Sequence, residues 1–130
     1  MDGYSKKQIG EKGEYYAELY LRKQLYNIAA RNFRCRFGEI DIIAQTKDII
    51  AFVEVKTRNT CTPVLPADSV NKAKQKKIMK SAYCYLYINK IKKQPRFDII
   101  EVFVNRATLR CISVNHIENA FIQTDNYSAY

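Results

Sequence analysis

Two β-forming runs set close together constrain the fold of this chain more than any other feature. EIDIIA at 39–44 and IIAFVEVKT at 49–57 are joined by a short polar connection, TKD at 46–48. β-branched and aromatic residues dominate both runs, and the second is long enough for a central strand. A link that short folds the two runs back on one another as an antiparallel hairpin. The first run alternates polar and apolar as far as Asp41 and is apolar after it.

The rest of the chain arranges itself around that hairpin. Ala17, Tyr20, Leu21 and Leu25 recur at three- and four-residue steps, which predicts a helix over 9–26 ended by Asn27. IAARNFRC at 28–35 reads as a strand, with Gly38 at the turn that follows. Pro63 and Pro66 place a loop at 59–66, and Asp68 or Ser69 is positioned to cap a second helix reaching about Ile88. Ile78, Ala82, Tyr85 and Leu86 share the buried face of that helix. A basic loop at 89–95 leads to the strand FDIIEVFV at 97–104 and a shorter one at 109–115, and HIENAF at 116–121 reads as a final short helix. The order is α-β-β-β-α-β-β. It predicts an α/β fold with a central mixed β-sheet flanked by α-helices. With 130 residues, 47% of them hydrophobic, and no repeat or Gly/Ser linker, the chain reads as a single domain. Its core spans about 9–122, and the tail DNYSAY reads as a loose end.

Composition excludes several classes of chemistry. Cys35, Cys61, Cys84 and Cys111 are scattered without a CxxC pair, and His116 is the only histidine. A structural zinc needs clustered ligands, so this pattern argues against one. It also argues against a serine–histidine hydrolase. No apolar run approaches the roughly 18 residues of a membrane span. The polar N-terminus is unlike a secretory signal, so the expected location is cytoplasmic with reduced thiols. The net charge is +9. A compact basic domain points to a polyanionic partner, with nucleic acid ahead of a membrane surface.

The hairpin carries the candidate chemistry. Alternate residues of a strand project to one face about 6.6 Å apart, so Glu54 and Lys56 point the same way from between Phe52, Val53 and Val55. Charges in so apolar a strand are costly without a partner or a task. If the hairpin sets Asp41 beside Glu54, two carboxylates converge next to one ammonium. Such a trio suits metal-assisted phosphodiester hydrolysis: the carboxylates are hard ligands for Mg²⁺ or Mn²⁺, and the lysine steadies a water and the charge that develops on phosphate. The plain alternative is a structural ion pair, since ExK alone is a weak signal. Glu14, beside Gly13 on the first helix, is either a fourth member or an ordinary solvated carboxylate like Glu11 or Glu18.

GEIDIIA…FVEVKTR resembles the PD-(D/E)xK nuclease superfamily, with its restriction-endonuclease-like fold. More narrowly it resembles the YraN-like bacterial family. GEKGEYYAELYL at 10–21, RNFR at 31–34, VNKAKQKKI at 70–78 and RFDII at 96–100 extend the resemblance over most of 10–104. The resemblance implies Asp41 and Glu54 as metal-binding carboxylates, Lys56 as the catalytic lysine and the Val55 carbonyl as a further metal ligand. It likens Glu14 to the helix carboxylate that archaeal Holliday-junction resolvases hold near their metal. It also sets Lys74 and Gln75 beside the site. Ile40 stands where the superfamily pattern has proline, which is normal in the narrower family. The superfamily includes members that bind DNA without cutting it, so the resemblance implies the fold more firmly than the activity.

A basic face accompanies the trio. Residues 72–96 hold Lys72, Lys74, Lys76, Lys77, Lys80, Lys90, Lys92, Lys93 and Arg96, and no acid. Lys72, Lys76 and Lys80 form one stripe on a helix and suit a run of phosphates. Arg31, Arg34, Arg36 and Arg58 flank the site and suit a backbone clamp. Tyr83, Tyr85 and Tyr87 lie in the basic helix, where stacking on unpaired bases is open to some and core packing to most. No base-reading motif is present, so binding is expected to follow DNA structure, branched DNA by analogy, or to be non-specific. Two readings stand: a metal-dependent DNA nuclease, and a non-catalytic nucleic-acid-binding module. Neither calls for a small-molecule cofactor or a membrane. A homodimer stays open, because cutting two strands takes two sites.

Overall fold

The computed structural model describes residues 3–59 and 70–121. Among the described residues seven elements follow in the expected order: α1 (Lys6–Lys23), β1 (Asn27–Cys35), β2 (Gly38–Gln45), β3 (Ile49–Arg58), α2 (Lys72–Asn89), β4 (Gln94–Val104) and β5 (Cys111–Ile117). They form a five-stranded sheet in the order β1-β2-β3-β4-β5. β2 and β3 make the antiparallel hairpin, with Ile42 opposite Val53 and Gln45 opposite Ile50. β3 and β4 pair in parallel from Ile49 opposite Gln94 to Arg58 opposite Phe103. Parallel neighbours need a long crossover, and α2 lies in that connection. The sheet is therefore mixed, with β3 at its centre. Among the described residues no helix is long and apolar enough to cross a membrane.

The helices cover opposite faces. Ile9, Ala17 and Leu21 of α1 pack with Ile42, Val53 and Ile100. Ile78, Met79 and Ala82 of α2 pack with Ile40, Ile50, Phe52 and Ile99. Burial on both faces explains why β3 reads as a near-continuous apolar run.

Several boundaries differ from the sequence reading. α1 starts earlier because Ser5 and Gln8 close a capping box, each side chain accepting the other's backbone N–H. It ends earlier because the Leu25 and Tyr26 amides fold back onto Arg22 and Leu21. That reversal sets Leu25 at φ 70 and leaves it 85% exposed rather than in the core. Asn27 opens β1 instead of ending the helix. α2 is capped by Asn71, whose side chain accepts from the Lys74 N–H at 2.8 Å. Asp68, Ser69, the prolines of the 59–66 loop, Cys61 and the DNYSAY tail lie outside the described residues. No helix forms at 116–121. Asp98 draws His116 in at 2.8 Å and takes the Asn119 N–H, which holds 116–117 in β5 and turns the chain after it.

Gly13 sets the depth of α1. It is buried in the helix, and a Cβ there would overlap the Thr57 side chain on β3. A Cβ at Gly10 meets nothing within 4 Å. Gly10→Ala is therefore expected to stabilise the fold by about 0.5–1 kcal/mol through helix propensity. Gly13→Ala gains the same propensity but is expected to lose about 1–2 kcal/mol net through overpacking. Urea melts of the two variants check this, and equal stabilisation would mean the contact with Thr57 is not close.

Candidate active site

The site lies where β2 and β3 part. Their register runs to Ile42 opposite Val53, and past that point the Asp41 carboxylate accepts the Val55 N–H at 2.9 Å. A side chain has taken over from the backbone ladder. Ile40 and Ile42 are two residues apart yet lie in opposite cores, so strand alternation breaks at Asp41. The break turns Asp41 into the fork between the strands.

Glu54, one residue past the last pair, is buried. Its Oε2 receives the Lys74 ammonium at 2.5 Å and lies 3.5 Å from the Lys56 ammonium. Glu54 and Lys56 project together, as period two requires. Lys74 reaches them from the first turn of α2, directly after its Asn71 cap. Two ammoniums on one buried carboxylate explain how β3 carries a charge through an apolar strand.

Protonation follows from this crowding. Burial, then the negative charge of Glu54, pushes Asp41 up to about 7, against the pull of the Val55 N–H. Burial, then the charges of Glu39 and Glu54, raises Glu14. Lys56 is lowered by burial and by the Lys74 charge. For Lys74 burial is the largest single influence and works downward, but its bond to Glu54 and the charges of Glu54 and Asp41 together outweigh it and raise it. Asp41, Glu14 and Glu54 thus share one region of mutually repelling negative charge.

Glu14 and Asp41 line the same open cavity of about 390 Å³. Asn32 and Glu39 complete this side of the site, and the sequence reading singled out neither. With its amide nitrogen turned toward the carboxylates, Asn32 donates to Glu14 Oε1 at 3.3 Å and to Glu39 Oε2 at 3.1 Å. Asn32 sits on β1 at φ 50, a left-handed conformation that asparagine tolerates better than most residues. An asparagine amid a β-forming stretch was the available signal.

The expected nucleic-acid contacts divide. Lys72, Lys76 and Lys80 are exposed on α2. Arg36 lies with its guanidinium over the Phe37 ring. Arg31 is bound to Glu18 at the cavity mouth, and Arg34 lies 3.6 Å from Glu39. Arg58 is half-buried, 3.7 Å from Glu101. Gln75 bonds locally: its amide donates to the Val70 carbonyl at 2.9 Å and braces the start of α2.

Among the described residues no three Asp, Glu, His or Cys side chains are already drawn together as a metal cage. Glu54 is closed onto Lys74 instead. The donors are nonetheless hard oxygens held in mutual repulsion, the chemistry a hard dication relieves.

Comparison with known sequences places this geometry in a family. Residues 13–102 match the model of a family described as "Uncharacterised protein family UPF0102". The chain belongs to the UPF0102 family. The matched span includes Glu14, Asp41, Glu54, Lys56 and Lys74. The UPF0102 protein of Caldanaerobacter subterraneus subsp. tengcongensis is 48% identical over 122 residues, covering 93% of this chain and 100% of the relative. That of Clostridium acetobutylicum is 47% identical over 116 residues, 88% of this chain and 94% of its own. That of Clostridium tetani is 49% identical over 106 residues, 81% of this chain and 86% of its own. The YraN-like resemblance seen in the sequence is thus membership of UPF0102.

Proposed function

We propose that this UPF0102 protein is a divalent-metal-dependent nuclease that hydrolyses phosphodiester bonds in DNA, directed by DNA structure or non-specific. The reading rests on one observation: Asp41 and Glu54 converge at the fork of β2 and β3, with Lys56 beside Glu54. The resemblance to the PD-(D/E)xK superfamily and to archaeal junction resolvases supports it, and so does the +9 charge.

Asp41 and Glu54 would hold Mg²⁺ or Mn²⁺. Glu14 would join them directly or through water, and the Val55 carbonyl is a fourth donor. The bound cation supplies polarisation of a phosphate oxygen and an acidified water. The remaining work belongs to the chain. Lys56 orients the attacking water and offers its ammonium to the charge growing on phosphate. Lys74 holds Glu54 in place and is the near end of a cationic path along α2 through Lys72, Lys76 and Lys80. Arg36 suits a phosphate contact, and Arg31, Arg34 and Arg58 would exchange Glu18, Glu39 and Glu101 for phosphate to make one. The expected location is cytoplasmic, where DNA is the partner at hand.

One observation favours a second reading, a binding module that keeps the fold. Lys74 and Lys56 already satisfy the Glu54 carboxylate with no metal. The test compares wild type with Glu54→Ala on labelled duplex, single-stranded, flapped and four-way-junction DNA, with Mg²⁺, Mn²⁺ or EDTA. Metal-dependent cutting that drops at least about a thousand-fold in the variant supports the nuclease. Salt-sensitive binding by both proteins with no cutting by either supports the binding module.

A further inference from the structure

A second cavity lies farther along α2. Lys80, Tyr83, Cys84 and Tyr87 recur at i, i+3, i+4 and i+7 and share one side of the helix. They face Arg36 and Phe37 in the turn between β1 and β2, and the six residues line an open hollow of about 670 Å³. That size suits a nucleotide-scale ligand. The turn is pressed close to α2 at Gly38. A Cβ there would lie 3.8 Å from both Lys77 and Ser81, and the φ of 147 is open to glycine alone.

The lining combines flat rings with cations. Tyr87 is 85% exposed, the same as Leu25 and more than any other large apolar or aromatic side chain described. Tyr85, two residues earlier, packs edge-on against Phe33 and Phe52 in the core. The helix therefore holds one ring in and another out. The Arg36 guanidinium lies 4.8 Å and the Lys80 ammonium 5.8 Å from the Phe37 ring centre. Among the described residues no acid lines the hollow. An exposed ring beside two cations matches the two halves of a nucleotide, a base to stack and a phosphate to pair.

Its position adds to the argument. Lys74, which touches Glu54, and Cys84 lie ten residues apart on α2, about 15 Å along its axis. Lys77 and Ser81 lie between them. A DNA strand of a few nucleotides spans that gap.

We infer that this hollow is a subsite for an unpaired nucleotide of a DNA strand whose neighbouring phosphates lead to the Glu54–Lys56 site. The base stacks on Tyr87 with Phe37 and Tyr83 at its edges, and its phosphate lies between Arg36 and Lys80. The inference rests on the proposed nucleic-acid partner but not on cleavage. It gives a physical basis for preferring flapped or branched DNA over an intact duplex.

The chain has no tryptophan, so Tyr87→Trp places a single tryptophan in the subsite, excited selectively at wavelengths the tyrosines do not absorb. In EDTA, where no cleavage is expected, this variant is titrated with a short oligothymidylate, the corresponding oligouridylate and a blunt duplex. The expected result is saturable quenching by the single strands that weakens with salt, and little quenching by the duplex even where a gel shift records binding. Tyr87→Ala, at an exposed position, is expected to keep its circular dichroism spectrum. It should lose roughly ten-fold or more in single-strand affinity with duplex affinity within about two-fold. Equal quenching by duplex and single strand, or an unchanged single-strand Kd in Tyr87→Ala, would overturn the subsite and leave the nuclease reading intact. A change of oligomeric state in Tyr87→Ala without a change in Kd would make the hollow a protein contact. Failure of the wild type to bind any nucleic acid would overturn both readings.

Discussion

Asp41→Asn is expected to melt higher than wild type at pH 8 in EDTA while losing at least about a thousand-fold in metal-dependent cleavage. The stability gain follows from proton linkage. Burial and the Glu54 charge push Asp41 up to about 7, whereas an unfolded aspartate titrates near 4. Between those values the folded state binds more protons than the unfolded one, so stability falls as pH rises. The penalty is absent below about pH 4, grows toward pH 7 and is complete above it. Asparagine keeps an oxygen for the Val55 N–H and carries no charge, so it avoids the penalty. The gain is expected to be on the order of 2 kcal/mol at pH 8, or about 5–10 °C, and to vanish toward pH 4. Mn²⁺ should raise the wild-type Tm and leave the variant unmoved, closing the gap. Thermal melts at pH 4.5 and pH 8, with EDTA and with Mn²⁺, check all of this. A variant no more stable than wild type at pH 8 would mean that Asp41 is not held buried among like charges.

That trade of stability for chemistry bears on how much of the molecule was legible. The hairpin was, because β-branched runs around a three-residue polar link admit little else. The pairing of Glu54 with Lys56 was, because period two puts both on one face, and burial of both faces of β3 denies them water. The parts that escaped depend on contacts between residues far apart in the chain. Resemblance set Lys74 beside the site, but nothing local to it says that it reaches Glu54 twenty positions earlier; that requires the crossover seating α2 over β2. HIENAF has a helix-like pattern, but the buried Asp98 takes His116 and the Asn119 amide and so overrides it. The neighbouring Arg96 bonds the same carboxylate and the Tyr26 hydroxyl, and His116 meets Tyr20 at 3.0 Å. The lone histidine, which carried no role in the sequence, thereby ties β4 and β5 to α1. Asn32 joined the site only once β1 brought it to Glu14 and Glu39.

The same geometry separates Lys56 from Lys74, two lysines that share one carboxylate oxygen. Lys56→Met removes an ammonium that is only 24% exposed, while Lys74 stays 2.5 Å from Glu54 and keeps that buried charge paired. The fold should survive, and DNA binding in EDTA should stay within about three-fold, because the exposed lysines of α2 are untouched. Cleavage under single-turnover conditions is expected to fall roughly 10²- to 10³-fold, the cost of losing one preorganised charge at the transition state. Lys56→Arg should not restore it, since a broad planar guanidinium cannot occupy the position of a compact ammonium. The pH profile gives an independent reading. Burial and the Lys74 charge hold Lys56 below the ordinary lysine value, so its ammonium is lost at lower pH than that of a free lysine. Wild-type cleavage should therefore decline as pH rises through that lowered pKa. In Lys74→Ala, which removes the like charge, the decline should move to higher pH. Unchanged single-turnover rates in Lys56→Met would strip Lys56 of its catalytic part and leave it one of two counterions to Glu54.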